Sequence, residues 1–385
     1  MIKTSEFPFQ RRTKIGILGG GQLGRMLAEA AHDFGLQTVV YCQNGNEPAA
    51  QIATQAIVGN WNDEGAIEQF ATSGIRWVVG EWENVEPNVV EQISQFVNVH
   101  TMADVLRTGR SRKAEKSLAE ELEIPATHWI DAWELPGGKP LAKLWESKAP
   151  YIYKSDNGGY DGKGQASADT WDDLKKHLGP GKPPAIVEQR VDLDYECSVL
   201  VERNAAGTVQ FSPAVRNKHT NRYGGGILEY SYWSSKAIPR PVEIKAQEYA
   251  VKIAKQTQLV GVICVEYFVT PDGKLLFNEI APRVHNSFHG SIEVTVYGQF
   301  HRHIAAVTGM SLLNMKFDRP WVMVNLIGDQ IELLPELVSM GWSVHDYGKT
   351  SAKPGRKMGH ATLRIYHEEN VFSAIDVLRR HGLVE

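Results

Sequence analysis

The strongest constraint on the fold is a short apolar strand that runs straight into a glycine cluster and then an amphipathic helix. Residues 14–19 read KIGILG, the pattern of a buried strand. After Gly19-Gly20-Gly21, the residues Leu23, Met26, Leu27, Ala30, Ala31 and Phe34 fall on one helical face, and Gly35 closes it. Residues 37–42 (QTVVYC) and 77–82 (WVVGEW) read as two more strands, with a helical stretch before the second. This β-α-β-α-β order implies a parallel sheet covered by helices. The loop Gly19 to Gly24 satisfies G-x-G-x-x-G, which brings backbone N–H groups of a helix N-terminus toward an anion. A dinucleotide fold would place Asp or Glu at the end of the second strand to hold a ribose. Here that strand ends Tyr41-Cys42-Gln43. The remaining readings are a phosphate-bearing substrate and a plain strand-to-helix turn.

The 385 residues suffice for two or three domains, and 42% apolar with 22% charged residues is a globular mixture. A formal charge of -4 gives no footing for a nucleic-acid surface. Cys42, Cys197 and Cys264 form no CxxC pair and read as buried thiols in a reducing compartment. Residues 1–13 lack the apolar core of a signal peptide, and no stretch reaches the length of a membrane span. The expectation is a cytoplasmic protein. Beyond a helical segment at 112–122, short strands alternate with glycine-rich turns to about residue 310, an α+β pattern. The last part holds VMVNLIG, a basic turn, the strand ATLRIY and a helix near 371–381.

Four segments carry chemistry. Residues 158–165 (GGYDGKGQ) set four glycines around Lys163, which suits a flap that lowers a positive charge onto phosphates. A surface hairpin is the plainer alternative. Lys154 stands just upstream on the strand YIYK. Residues 262–270 and 274–282 flank Pro271-Asp272-Gly273 and read as a hairpin. With Asp272-Gly273 as a two-residue loop, Glu266 and Glu279 lie opposite each other on one face. Like charges so placed repel. Three arrangements would offset this: a magnesium ion shared with phosphates, a shared proton, or exposure to water. Residues 185–191 (AIVEQRV) read as a strand whose edge could face a purine, with Glu196 following. Lys349, Lys353, Arg356 and Lys357 cluster at Pro354-Gly355, a turn fit for a phosphate or simply a solvated face.

In order, GGGQLGRM, EWENV, YIYKSDNGGYDGKGQ, IVEQRV, NKH, VEYFV, TPDG, NEIAPRVHNS and KPGRKMGH resemble the N5-carboxyaminoimidazole ribonucleotide synthetase family. The resemblance implies an ATP-grasp fold of α/β and α+β parts: a Rossmann-like domain at 14–110, an ATP-grasp domain at 111–312 and a small C-terminal domain at 313–385. It implies ATP and Mg2+ as cofactors, 5-aminoimidazole ribonucleotide and bicarbonate as substrates, and a homodimer. By motif match, the nucleotide side is Arg112, Lys154, Gly159, Tyr160, Asp161, Gly162, Lys163, Gly164, Gln165, Glu188, Gln189, Arg190, Val191, Glu196, His219, Asn278 and Glu279. Glu266 and Glu279 match the magnesium ligands. Gln22, Glu83, Tyr160, Asn286, Lys353 and Arg356 match the substrate side, and Asp161, Arg283 and His285 the reacting centre. The first glycine loop and the basic turn would share the ribonucleotide phosphate, and Asp161 or His285 would accept the proton of the amine.

Five features depart from that family's pattern, the first being Trp82 where Phe is usual. Ser111 stands where Asp is usual, and Asp156-Asn157 where an Arg is usual. Arg216 replaces a Glu, and residues 223–226 are an insertion. The rival readings are another ATP-grasp ligase, an NAD-dependent dehydrogenase, and a non-catalytic nucleotide-binding protein. The second lacks its ribose carboxylate. The third would be expected to have lost Glu266 or Glu279.

Overall fold

Residues Lys14–Leu18 form β1, Gln22–Asp33 α1 and Gln37–Cys42 β2. They are followed by β3 (Gln55–Val58), α2 (Glu64–Ala71) and β4 (Ile75–Gly80). The structure is a computed structural model. It describes residues 12–81, 85–100, 102–135, 140–157, 164–179, 181–223, 225–310 and 315–385. Within it, Glu83 and residues 158–163 of the glycine-rich segment, including Gly159, Tyr160, Asp161, Gly162 and Lys163, lie outside the described residues.

The first sheet is parallel, in the order β3-β2-β1-β4, as the alternating pattern requires. The sequence reading missed β3 because only Ile57 of its four residues is buried, so no apolar run marks this edge strand. Helix α1 buries Leu23, Met26, Leu27, Ala30 and Ala31 against the sheet. Helices α3 (Pro87–Ser94), α4 (Met102–Gly109) and α5 (Arg112–Glu121) then lead out of this layer.

A second, antiparallel sheet has β5 (Trp129–Asp131), β6 (Tyr151–Ser155), β7 (Gln165–Ala168) and β8 (Ala185–Gln189) in the order β5-β8-β6-β7. The third sheet is the largest. It joins β9 (Tyr195–Arg203), β10 (Val209–Phe211), β11 (Val215–Thr220), β12 (Ile227–Trp233), β13 (Gly261–Val269) and β14 (Leu275–Ala281). To these it adds β15 (Trp321–Ile327), β16 (Ser343–Asp346) and β17 (Lys357–Arg364). Its order is β14-β13-β9-β11-β12-β15-β17-β16, with β10 on β9. The C-terminal segment is therefore not a separate sheet: Tyr230 pairs with Val324 and Tyr232 with Val322, across the boundary expected near 312.

Strand parity sorts β13. Ile263, Val265, Tyr267 and Val269 pack in one cluster with Ala246, Ala250 and Ile253 of the helix Arg240–Gln256. Val262 and Cys264 point the other way, into a cluster with Phe300 and Ile304 of the helix Gln299–Thr308. That cluster also holds Leu23, Met26 and Leu27, so α1 and the large sheet share one core.

Candidate active site

The hairpin of β13 and β14 places the two carboxylates. Glu266 pairs with Glu279, as expected, but not through the expected loop. Thr270 and Lys274 close the turn by Thr270 N to Lys274 O at 3.0 Å and Gly273 N to Thr270 O at 2.8 Å. The loop is thus the three residues Pro271, Asp272 and Gly273, with Gly273 left-handed at φ 77°. Tyr267 consequently pairs with Phe277 and Phe268 with Leu276, one residue off the expected register. A bulge at Asn278 restores it, and only beyond that bulge does Glu279 face Glu266.

Cationic side chains offset the repulsion between the pair. Arg112 Nη1 donates to Glu279 Oε2 and to Glu115 Oε2, the latter at 3.2 Å. His285 Nε2 lies 3.0 Å from Glu266 Oε1. Burial alone would raise the Glu266 carboxyl, but His285, His219 and Arg112 hold it below the ordinary carboxylate range. Burial likewise opposes charge on His285, yet Cys264 and Glu266 push it up to about 10. His285 Nε2 faces Glu266, while its Nδ1 accepts from Ser287 N at 3.4 Å. Glu266 and Glu279 are hard oxygen donors and fit a magnesium ion. Among the described residues no group of three or more His, Cys, Asp or Glu is disposed around a metal, so phosphate oxygens and water would complete its shell.

Behind the pair lies a buried ionic triad. Glu188 receives Lys154 Nζ at 3.0 Å on one oxygen and Lys116 Nζ at 3.0 Å on the other. Lys154 Nζ also donates to Asn278 Oδ1 at 3.2 Å. Burial favours the neutral carboxyl of Glu188, but the two ammonium groups override it and hold its pKa at about 2. The purine-facing strand needs correction. β8 is interior, hydrogen-bonded to β5 and β6, so it presents no free edge. Gln189 N and Arg190 N are spent on His128 O and Pro150 O, each at 2.8 Å. Arg190 lies on the exposed side with Asp169 at 2.9 Å. Glu196 holds His219 Nδ1 across β9 and β11, and this contact outweighs burial to raise the His219 pKa. Gly164 O accepts from Ser155 N at 2.8 Å, and Gln165 pairs with Lys154 on β7.

The first glycine loop differs from expectation. Its donors are taken by Glu81, at the exit of β4: Gly21 N donates to one carboxylate oxygen and Gly24 N to the other at 2.7 Å. Burial pushes the Glu81 carboxyl up, against Gly24 N–H, Gly21 N–H and Arg283. The glycines make room for this carboxylate. A Cβ on Gly19 would lie 2.3 Å from Glu81 Cγ, and one on Gly21 2.7 Å from Glu81 Oε1. A phosphate at this loop would compete with the Glu81 carboxylate for the N–H groups of Gly21 and Gly24. Gln22 begins α1 at partial exposure.

The basic turn is well defined. Arg356 N donates to Lys353 O at 3.0 Å, with Pro354 and Gly355 (φ 75°) between, a type II turn. Gly328 N anchors it on Arg356 O at 2.8 Å. Lys353 is exposed and Arg356 half-buried, its Nη1 3.0 Å from Ser351 O. Inserted Tyr223 packs beside Gly355. Three residues before Gly328, Asn325 exchanges amide hydrogen bonds with Asn286 at 2.9 and 2.6 Å. This links the turn to the segment that carries His285.

Glu81, Glu115 and Lys116 were missed by sequence reasoning. The signal for the last two was their spacing: 112, 115 and 116 share one helical face. Two departures touch. Ser111 Oγ donates to Asp156 Oδ1 at 2.9 Å, and the same oxygen accepts from Lys113 N at 2.9 Å. The carboxylate missing at the N-terminus of α5 is thus supplied from β6's exit.

Three family models match in the same order as the folded parts. They are a ribonucleotide synthetase preATP-grasp domain at 12–109, an ATP-grasp domain at 117–300, and a phosphoribosylaminoimidazole carboxylase C-terminal domain at 322–371. The chain is 36% identical over 372 residues to the N5-carboxyaminoimidazole ribonucleotide synthase of Brucella melitensis, covering 94% of this chain and 98% of that one. It is 35% identical to the bifunctional purine synthesis protein purC/E of Dictyostelium discoideum over 90% of its own length, and spans 36% of that longer protein. Among solved structures it resembles the ADP complex of an N5-carboxyaminoimidazole ribonucleotide synthetase, with a TM-score of 0.88, 31% identity, and 97% and 98% of the two chains covered. It also resembles the Aspergillus clavatus N5-carboxyaminoimidazole synthase in complex with ADP and 5-aminoimidazole ribonucleotide, with a TM-score of 0.83, 28% identity, and 96% and 99% covered. The chain belongs to the N5-carboxyaminoimidazole ribonucleotide synthase family of ATP-grasp ligases.

Proposed function

We propose that the chain joins bicarbonate to the amine of 5-aminoimidazole ribonucleotide at the expense of ATP, through carboxyphosphate, in de novo purine biosynthesis. The products are N5-carboxyaminoimidazole ribonucleotide, ADP and phosphate. The observation that carries this reading is the opposed pair Glu266 and Glu279, set beside Lys154 and Arg112 in one buried polar cluster. Magnesium held by the pair would neutralise phosphate charge as the γ-phosphoryl group leaves ATP. Lys154 holds a fixed ammonium on the same side, and Val191, Glu196 and His219 lie toward the base and ribose. Lys353 and Arg356 take the substrate phosphate. On this reading Gln22, Glu83, Tyr160, Arg283 and Asn286 serve the amine substrate and bicarbonate, with Asp161 or His285 to take the proton. We treat 14–110, 111–312 and 313–385 as the three functional parts, and a cytoplasmic homodimer as the assembly. No helix among the described residues is long and apolar enough to cross a membrane.

The test is ADP release with ATP and magnesium, with each of 5-aminoimidazole ribonucleotide and bicarbonate left out in turn. Release that requires both is expected. Equal release with a different amine and none with this ribonucleotide would point to another ATP-grasp ligase.

A further inference from the structure

Strand β14 is the edge of the large sheet, so one side of its backbone faces away from β13. Two of its N–H groups find partners on that side: Phe277 N on Pro125 O at 2.7 Å, and Ile280 N on Glu115 Oε1 at 2.8 Å. Along a regular strand, groups facing one way are separated by an even number of residues. Here they are separated by three, the mark of the extra residue Asn278. A bulge leaves backbone groups outside the ladder, and buried carbonyls left so are costly. Lys116 meets them. Its Nζ donates to Asn278 O at 3.0 Å and to Phe277 O at 3.3 Å, from a side chain only 1% exposed.

We propose that Lys116 is a positioning residue for the cation-binding pair: it holds the bulge at Asn278 in the register that turns Glu279 toward Glu266. This rests on the reading of that pair as the magnesium ligands. Without the bulge, position 279 would fall on the opposite face of the strand, because a one-residue slip reverses every side chain beyond it. Asn278 is gripped twice, at its carbonyl by Lys116 and at its side chain by Lys154, and Glu188 balances both cations. Arg112, Glu115 and Lys116 therefore act together: one face of α5 fixes three successive residues of β14. Among the described residues Lys116 Nζ meets Glu188, Thr127 Oγ1, Phe277 O and Asn278 O, and it works on the pair through the strand.

The rival is that Lys116 serves only as a counter-ion for Glu188. Manganese titrated into ADP-saturated protein, with free Mn2+ read by electron paramagnetic resonance, separates the two without using turnover. Lys116→Met removes the donor and leaves Lys154 and Glu188 as a one-to-one pair. The double variant Lys116→Met with Glu188→Gln also removes the carboxylate that a counter-ion role would serve, with urea unfolding reporting whether each variant folds. This double variant should still bind Mn2+ about tenfold or more weakly, the scale of a charged hydrogen bond lost from the strand. The KM for 5-aminoimidazole ribonucleotide should stay within about twofold, since the basic turn is remote from α5. A double variant that binds Mn2+ as the parent does overturns the proposal and leaves the counter-ion role. A parent that binds no Mn2+ in the presence of ADP overturns the metal reading itself.

Discussion

Glu81 and the Glu266–Glu279 pair are both carboxylate sites, and they are held in opposite ways. Glu81 sits on main-chain N–H groups of Gly21 and Gly24, which cannot turn away. The pair is held by the side chains of His285 and Arg112, which can. A carboxylate locked on backbone donors shapes a loop. One balanced by mobile cations can exchange them for a metal ion. The difference teaches that converging donors do not reveal their occupant: in the first glycine loop a side chain from the neighbouring strand fills the place that the motif alone offers to a phosphate.

The sharpest break in this comparison is Glu279→Gln. We expect turnover to fall on the order of a thousandfold at limiting magnesium, the scale of losing a preorganised electrostatic contact. Stability should change little, because Arg112 keeps Glu115 at 3.2 Å. ADP release across a magnesium series, with circular dichroism for the fold, measures both. Near-parental activity at limiting magnesium would remove Glu279 from the metal site.

Glu81→Ala should show the reverse profile. Two N–H groups lose their acceptor, at a cost of about 2–3 kcal/mol in unfolding free energy. Glu81→Gln keeps one carbonyl oxygen and should lose about half as much. Urea unfolding of the two variants beside Glu279→Gln tests the contrast. An Ala variant as stable as the parent would mean that water replaces Glu81 and that the loop is open to an anion after all.

The third change probes the anion site left open. Lys353→Ala and Arg356→Ala should each raise the KM for 5-aminoimidazole ribonucleotide by about tenfold, from the loss of one charged hydrogen bond. The KM for ATP should hold. An equal rise for both substrates would assign the turn to closure of the whole site.

What the sequence made legible follows from where the information is local. Strand parity put Glu266 opposite Glu279, and the Pro-Gly pair defined the basic turn. The pairing was right although the loop was wrong, because a three-residue loop and a one-residue bulge cancel in register. Sheet position was not legible: nothing within AIVEQRV says that β8 lies between two partners. Nor was Glu81's role, since its donors are 57 and 60 residues away in the chain. Lys116 looked like one more charge on a polar helix until the bulged strand was set against it.

The smallest expected effect concerns the departures Ser111 and Asp156, which bear on how α5, and with it Arg112 and Lys116, is held. The family resemblance implies Asp at position 111 and an Arg in the segment where Asp156-Asn157 stand, and the structure puts Ser111 and Asp156 in contact at 2.9 Å. Ser111 Oγ accepts from Ala114 N at 3.1 Å, capping the helix, and donates to Asp156. Asp156 in turn accepts from Lys113 N, so the negative charge at the helix N-terminus is kept although its source has moved. Ser111→Asp alone should be destabilising, because it sets two carboxylates together and removes the hydroxyl donor. Asp156→Arg alone should be destabilising, because Lys113 N loses its acceptor. Together they rebuild an opposite-charge pair with Asp as the cap. The double variant should therefore be more stable than the sum of the singles predicts, by about 1 kcal/mol in this half-buried setting. Urea unfolding of the parent, both singles and the double closes the cycle. Additivity within about 0.3 kcal/mol would mean that the two positions drifted independently and that α5 takes its placement from Arg112, Glu115 and Lys116 alone.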